Sequence, residues 1–80
     1  MDFELYRDVI LVADVPEHGL CAGDVGTLVE RHAVPDKEEG FSVEFFDMTG
    51  QTIAVVTLPR SRFRVPTRMD RPSARTFATA

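Results

Sequence analysis

The stretch Gly-Asp-Val-Gly-Thr-Leu-Val-Glu at residues 23–30 decides the fold of this chain. Its two glycines lie three positions apart and lead directly into a strand-like run. Glycine allows a sharp backbone reversal, and it allows close chain contact where a side chain would clash. We therefore predict that this stretch is the entry of a small, strongly bent β-barrel. Nothing in it is a catalytic device.

The segments on both sides of this stretch predict an all-β fold. Apolar and polar residues alternate in Phe41–Phe45, which is the period of a strand with one buried face. Gly50 suits a positive φ in a tight turn, so we predict that the third and fourth strands form a hairpin. No segment has a convincing helical period. The five predicted strands are Asp8–Ala13, Val25–Arg31, Phe41–Phe45, Gln51–Leu58 and Phe63–Val65.

The same periodicity predicts which side chains fill the barrel. We expect Gly26 to lie where a side chain would meet another strand or where φ is positive. The predicted core consists of Val9, Leu11, Leu20, Val25, Leu28, Phe41, Val43, Phe45, Val56, Leu58 and Phe63.

The order of these features resembles that of a family of small, uncharacterised bacterial SH3-like domains. The resemblance is carried by Val15–Leu20, by Gly23–Glu30 and by Val55–Pro59, and it spans the chain from Leu5 to Val65. It implies a small five-stranded SH3-like barrel over residues 1–65. The remaining segment, residues 66–80, is expected to be an irregular Arg-containing tail that is extended or mobile. The family has no agreed biochemical role, so the resemblance implies no activity.

Charge is distributed unevenly along the chain. Residues 1–59 hold twelve Asp or Glu against three basic residues, whereas residues 60–80 hold six arginines against Asp70 alone. An acidic body with an Arg-rich tail is compatible with a binding arm for a polyanion, with a tail that folds back on its own body, or with a solvated terminus. The six arginines are Arg60, Arg62, Arg64, Arg68, Arg71 and Arg75.

Groups for catalysis or metal binding are sparse. His18 and His32 have no carboxylate or cysteine at metal-ligand spacing, so we expect solvent-facing loop histidines and neither a metal site nor a cofactor. Cys21 has no basic neighbour that would activate it as a nucleophile, and a single cysteine excludes an internal disulfide. The longest apolar run, Val9–Ala13, is too short to cross a bilayer. We therefore expect a soluble, cytoplasmic protein that is not an enzyme and does not bind membranes.

Several exposed side chains are candidates for contact with a partner protein. Glu17, Asp24 and Glu30 are expected to share one end of the barrel, where acidic residues would contact a basic ligand. Phe46 breaks the alternation of the third strand, so it either points outward beside Met48 as an anchor or turns into the core at a bulge.

These observations predict a non-enzymatic protein-binding module for a basic partner. Antitoxin-like, immunity-like and accessory-subunit roles are all compatible with that description. The alternative is a nucleic-acid-binding accessory protein that uses the arginines from Arg60 to Arg75 on a phosphate backbone, with Arg60, Arg62, Arg64 and Arg68 as candidate contacts. The acidic body repels phosphate, so only the tail would supply the cations.

Overall fold

The computed structural model describes residues 2–76. Its fold is all-β. Five antiparallel strands form one curled sheet, a half-barrel with the order β4-β3-β2-β1-β5. The predicted fold class is thereby confirmed. The strands are β1 (Asp8–Leu11), β2 (Val25–His32), β3 (Gly40–Phe46), β4 (Thr52–Pro59) and β5 (Phe63–Arg64).

Two short 3₁₀ helices interrupt the connections between strands. Pro16–His18 lies between β1 and β2, and Arg60–Arg62 lies between β4 and β5. Proline cannot donate a ladder hydrogen bond, so Pro16 and Pro59 stop the extended chain at these points. Among residues 2–76, no helix has the length and apolar character needed to cross a membrane.

The core lies on the concave side of the sheet. Phe41, Val43 and Phe45 are each at most 1 % exposed, and they alternate along β3 as predicted. Leu58 is only half-buried and packs against the edge of this cluster. The cluster of buried residues is Val9, Leu11, Val15, Leu20, Leu28, Phe41, Val43, Phe45, Val56 and Phe63.

Val25 is not part of the core, and the prediction for it was wrong. Leu28 faces inward on β2 and is fully buried. Side chains alternate between the two faces of a strand, so Gly26 also faces inward whereas Val25 faces outward and is 47 % exposed. Gly26 pairs with Val9 on one side and with Phe45 on the other. A glycine fits there because the side chains of β3 fill the space that a Cβ would occupy.

The chain from Pro66 onward contains neither helix nor strand among its described residues, which end at Thr76. A single turn follows Thr67, where the Asp70 carboxylate accepts the Thr67 N–H at 2.7 Å. The same carboxylate receives two hydrogen bonds from the Arg64 guanidinium, at 2.7 and 2.9 Å. These contacts lower the pKa of Asp70 strongly, the hydrogen bond from Arg64 contributing most. The predicted mobility of residues 66–80 stays a prediction, and its last four residues lie outside the described range.

Candidate functional site

The loop between β1 and β2 is a folded unit anchored in the core. Val15 and Leu20 are buried and exchange two backbone hydrogen bonds, of 2.9 and 3.1 Å. The 3₁₀ helix between them ends at Gly19, which adopts a left-handed conformation with φ +68°. Glycine reaches this conformation without steric cost. The loop therefore holds the Gly19 carbonyl and the chain up to Asp24 in a fixed arrangement.

The Asp24 carboxylate is the centre of a small polar site on this loop. Its Oδ2 accepts the Cys21 N–H at 2.9 Å, which orients the carboxylate. The Arg75 guanidinium approaches it with both ends of its planar fork, donating from Nε to Oδ1 at 3.0 Å and from Nη2 to Oδ2 at 2.5 Å. Nη2 also donates to the Gly19 carbonyl at 3.1 Å. This is bidentate arginine recognition of the kind that favours guanidinium over ammonium.

The electrostatics of the loop favour a cation at this position. Burial alone would raise the pKa of Asp24, but the hydrogen bond from Arg75, the Cys21 N–H and the Arg75 charge together lower it below the ordinary value. Asp14 adds a second negative charge close to the Arg75 guanidinium. Its Oδ1 accepts the Ala22 N–H at 2.8 Å, so this carboxylate is also held by the loop backbone. Asp24 is thus ionised in its contact with Arg75, and the Cys21 N–H fixes the orientation of its carboxylate.

The three acidic residues proposed from the sequence lie in two different places. Glu17 is exposed on the 3₁₀ helix of the same loop as Asp24. Glu30 lies on β2, about 20 Å along the strand from the loop end at a rise of about 3.3 Å per residue. Its carboxylate lies 3.7 Å from the Nε2 of His32. The structure therefore brings Glu17 and Asp24 to one loop, and it places Glu30 on the convex face of the sheet.

Phe46 points outward, which resolves the two alternatives left open by the sequence. Side chains alternate along β3, so Phe46 follows the buried Phe45 onto the opposite face, and the extra residue of the neighbouring bulge, Ile53, lies on β4. Its side chain is 41 % exposed, and Met48 beside it is almost fully exposed. Phe46 is available as an apolar contact, although it belongs to the far hairpin and not to the acidic loop.

The proposed basic residues have different partners. The Arg60 guanidinium lies over the Phe3 ring, 5.2 Å from its centroid, at the end of the barrel that Phe3 covers. Arg64 is bound to Asp70, whereas Arg62 and Arg68 form no ion pair among residues 2–76. Of these four arginines, only Arg64 has a carboxylate ion-pair partner in the described part of the chain.

A second polar cluster involves His32, which the sequence suggested would lie in a loop. It is instead the last residue of β2, and its Nε2 lies 2.8 Å from the Ser42 Oγ. Ser42 is buried, and its Oγ lies 2.8 Å from the Thr57 Oγ1. The Glu30 carboxylate approaches the same ring nitrogen that contacts Ser42. In a hydrolytic triad, the nucleophile and the acid contact different nitrogens of the histidine ring. Here Ser42 and Glu30 both approach Nε2, so we interpret the cluster as a polar network between strands.

An open groove beside β4 is poorly shaped for a small-molecule ligand. The groove, of about 270 Å³, lies between the β2–β3 loop and the end of β4, and its lining includes Val34, Leu58 and Pro59. Its lining is mostly apolar and its mouth is wide, so it does not enclose a ligand as cofactor sites do. Within residues 2–76, no three His, Cys, Asp or Glu side chains are grouped to hold a metal ion.

The sequence did not connect Arg75, the Gly19 carbonyl or the Cys21 N–H with Asp24. Arg75 and Asp24 are 51 positions apart, and no local motif connects them. The only signal was the opposite charge of the body and the tail, which allowed a fold-back without naming its residues.

Comparison with known proteins gives a family and nothing more specific. Residues 5–65 match the model of a domain of unknown function, DUF4926. No curated protein and no solved structure matches the chain. The match includes the loop with Asp24 and ends before Arg75.

Proposed function

We propose that this chain, which belongs to the DUF4926 family of domains, is a non-enzymatic protein-binding module of the bacterial cytoplasm. Its β1–β2 loop engages an arginine side chain of a basic partner protein. Antitoxin-like, immunity-like and accessory-subunit roles all fit such a module. The SH3-like barrel supplies the rigid platform on which the loop is mounted.

One observation carries this proposal: the loop already holds an arginine. Asp24 and the Gly19 carbonyl together accept three hydrogen bonds from the Arg75 guanidinium. The tail thus occupies the position that an arginine of a partner would take. Recognition of this kind uses a fixed carboxylate and a backbone carbonyl, both of which the folded loop supplies.

The tail contact is weak enough to be displaced. Arg75 is 43 % exposed and Asp24 is 21 % exposed in their side chains. A partly exposed ion pair contributes at most about 1 kcal/mol and is screened by salt. One kcal/mol corresponds to about a fivefold change in an equilibrium constant. A partner with several arginines would exceed that contribution, whereas a single free arginine would compete poorly with the tethered Arg75.

The proposal is tested by calorimetric titration of the full chain with a short peptide of alternating Arg and Ser. The Arg75→Ala variant should bind this peptide about two- to fivefold more tightly than the parent, because the internal competitor is gone. Asp24→Asn should abolish the binding in either background. The matched control is Glu30→Gln, which removes the same charge on a distant face and should leave the affinity unchanged.

A second peptide, with Lys in place of every Arg, distinguishes recognition from simple charge attraction. The Lys peptide should bind more weakly, since an ammonium group cannot form the bidentate contact with Asp24. Equal affinity for the two peptides, or binding that survives Asp24→Asn, would contradict the proposal.

The alternative function is nucleic-acid binding through the Arg-rich segment. Within that segment, Arg62 and Arg68 are the candidate phosphate contacts. Neither forms an ion pair with a carboxylate within the described residues. Titration with a single-stranded oligonucleotide across a salt series would detect this activity as a steep loss of affinity with salt. Binding that is lost in the Arg62→Ala/Arg68→Ala variant, together with no binding of the Arg peptide, would favour the alternative.

A further inference from the structure

We propose that the free edge of β4 is a dimer interface, at which the strand pairs in antiparallel fashion with the same strand of a second copy of this chain. β4 lies at one end of the sheet order, and β3 is its only strand neighbour among residues 2–76. It spans eight residues, Thr52–Pro59. The other end of the sheet is the two-residue β5, which is too short to act as a template.

The hydrogen-bond pattern identifies the backbone groups on this edge. The Arg60 N–H donates to the Glu39 carbonyl at 2.8 Å, just beyond the Pro59–Gly40 pair that closes the ladder. Hydrogen-bonded and non-hydrogen-bonded pairs alternate along an antiparallel ladder. Val55 and Thr57 therefore direct their N–H and C=O groups away from β3. Neither residue's backbone has a hydrogen-bond partner outside the sheet within residues 2–76.

The side chains along the edge lack the devices that usually prevent strand pairing. No charged residue occurs between Gly50 and Pro59. Ile53 is 57 % exposed and Val55 is 55 % exposed. Edge strands in soluble proteins are normally protected by charged side chains, by proline or by bulges. Here the bulge lies at the start of the strand and the proline at its end. The central part is thus open for pairing.

The backbone groups of this edge identify a second copy as the occupant. The free N–H and C=O groups of Val55 and Thr57 are self-complementary about a two-fold axis, so an identical strand satisfies all of them. The chain carries a net charge of −4, but β4 has no charged side chain, so two β4 strands pair without placing like charges opposite each other. A basic partner would be drawn to carboxylates, and β4 has none. This interface is therefore separate from the arginine site on the β1–β2 loop.

When the β4 strands of two copies pair in antiparallel fashion, each strand supplies hydrogen-bond partners for the free backbone groups of the other. A two-fold axis beside Val56 places Val55 opposite Thr57 of the second copy, and it places Thr57 opposite Val55 of the second copy. Each of these pairs exchanges its N–H and C=O groups, which gives roughly four hydrogen bonds across the axis. The exposed Val55 side chain then packs beside the Thr57 side chain of the other copy on the convex face.

Sedimentation analysis of the full chain tests the proposal. We expect a concentration-dependent equilibrium between the 8.9 kDa chain and a species of twice that mass. Val55→Lys places a charge beside the axis and should raise the dimer dissociation constant by at least about tenfold. The matched control is Val25→Lys, the same change at a residue of similar exposure, 47 % against 55 %, inside the sheet. It should leave the dissociation constant within about twofold of the parent.

Amide hydrogen exchange provides the residue-level readout. The N–H groups of Val55 and Thr57 should become protected as the concentration of the parent rises, and they should remain unprotected in Val55→Lys. A chain that stays monomeric at every concentration, a dimer that persists in Val55→Lys, or formation of large aggregates without a discrete dimer would each overturn the proposal. Equal loss of the dimer in Val25→Lys would overturn it as well.

Discussion

Replacement of Gly26 by alanine should destabilise the protein by contact and not by backbone conformation. A Cβ at this position would lie 2.6 Å from the Val43 Cγ1 and 2.9 Å from the Glu44 carbonyl oxygen. Ordinary contacts between carbon atoms are about 3.5–4.0 Å, so the first distance is too short by about 1 Å. Val43 is fully buried, and the Glu44 carbonyl is part of the sheet backbone, so neither can move without disturbing its neighbours.

The expected free-energy change is the difference between two effects. Overpacking of a filled core costs about 1–3 kcal/mol. Alanine also restricts the unfolded chain more than glycine does, which offsets about 0.4–1 kcal/mol of that cost. The difference spans about 0–2.6 kcal/mol, and because one of the clashing atoms is a backbone oxygen we expect Gly26→Ala to fall in the upper half, at about 1.3–2.6 kcal/mol. In a domain of this size, each kcal/mol lowers the melting temperature by roughly 4–8 °C.

Urea denaturation measured by circular dichroism is the appropriate assay. Gly40→Ala is the matched control, because a Cβ there would meet the His32 Cβ at an ordinary 3.6 Å. Gly40→Ala should be neutral or slightly stabilising. If Gly26→Ala is as stable as the parent, or if both variants lose the same stability, the packing argument for this glycine fails.

Three further changes probe other parts of the structure. Phe45→Ala should lower the free energy of unfolding by roughly 3–5 kcal/mol, because its ring is 1 % exposed; a melting temperature within a degree or two of the parent would contradict its burial. Gly23→Ala should cost about 1 kcal/mol, from its φ of +97° and not from contact, since no atom lies within 4 Å; stability equal to the parent would refute this. The pKa of Asp24 is lowered in the folded chain, so its ionised form stabilises the fold at neutral pH and this contribution is lost as the pH falls below about 5. Urea titrations at several pH values should therefore show a shallower acid dependence for Asp24→Asn, and identical slopes would exclude the ion pair. In hydrogen exchange on dilute monomer, the amides of residues 66–76 should exchange far faster than those of β3, since two partly exposed ion pairs, Arg64–Asp70 and Arg75–Asp24, hold this segment without strand pairing; equal protection would show that the tail is firmly docked.

The strands were predictable because local patterns determine them. Alternation along Phe41–Phe45, the glycine before the second strand and the turn at Gly50 each act within a few residues. The error at Val25 has a local cause as well. The apolar run from Val25 suggested an inward start, but the inward position belongs to Gly26, whose missing side chain gives no hydrophobic signal.

The contacts of the candidate site depend on features that a sequence pattern does not encode. The position of Phe46 was open because a bulge in β3 would turn it inward; the bulge instead lies on β4, so alternation along β3 places Phe46 outward. His32 contacts Ser42 only because their strands are paired. Asp24 was identified as a binding candidate from its place in an acidic loop. Its partner Arg75 could not be identified, because long-range ion pairs depend on where the tail runs after Pro66.

The most direct test of the account is an NMR titration of the full-length Arg75→Ala variant with the Arg-Ser peptide. The Cys21 N–H donates to Asp24, so its amide resonance reports any guanidinium that binds this carboxylate. We expect saturable shifts at Cys21 and Asp24, no shifts on the convex face at Glu30, and loss of the shifts when Asp24→Asn is added. Shifts that spread evenly over all acidic residues, or the same response in the Asp24→Asn variant, would contradict arginine recognition by this loop.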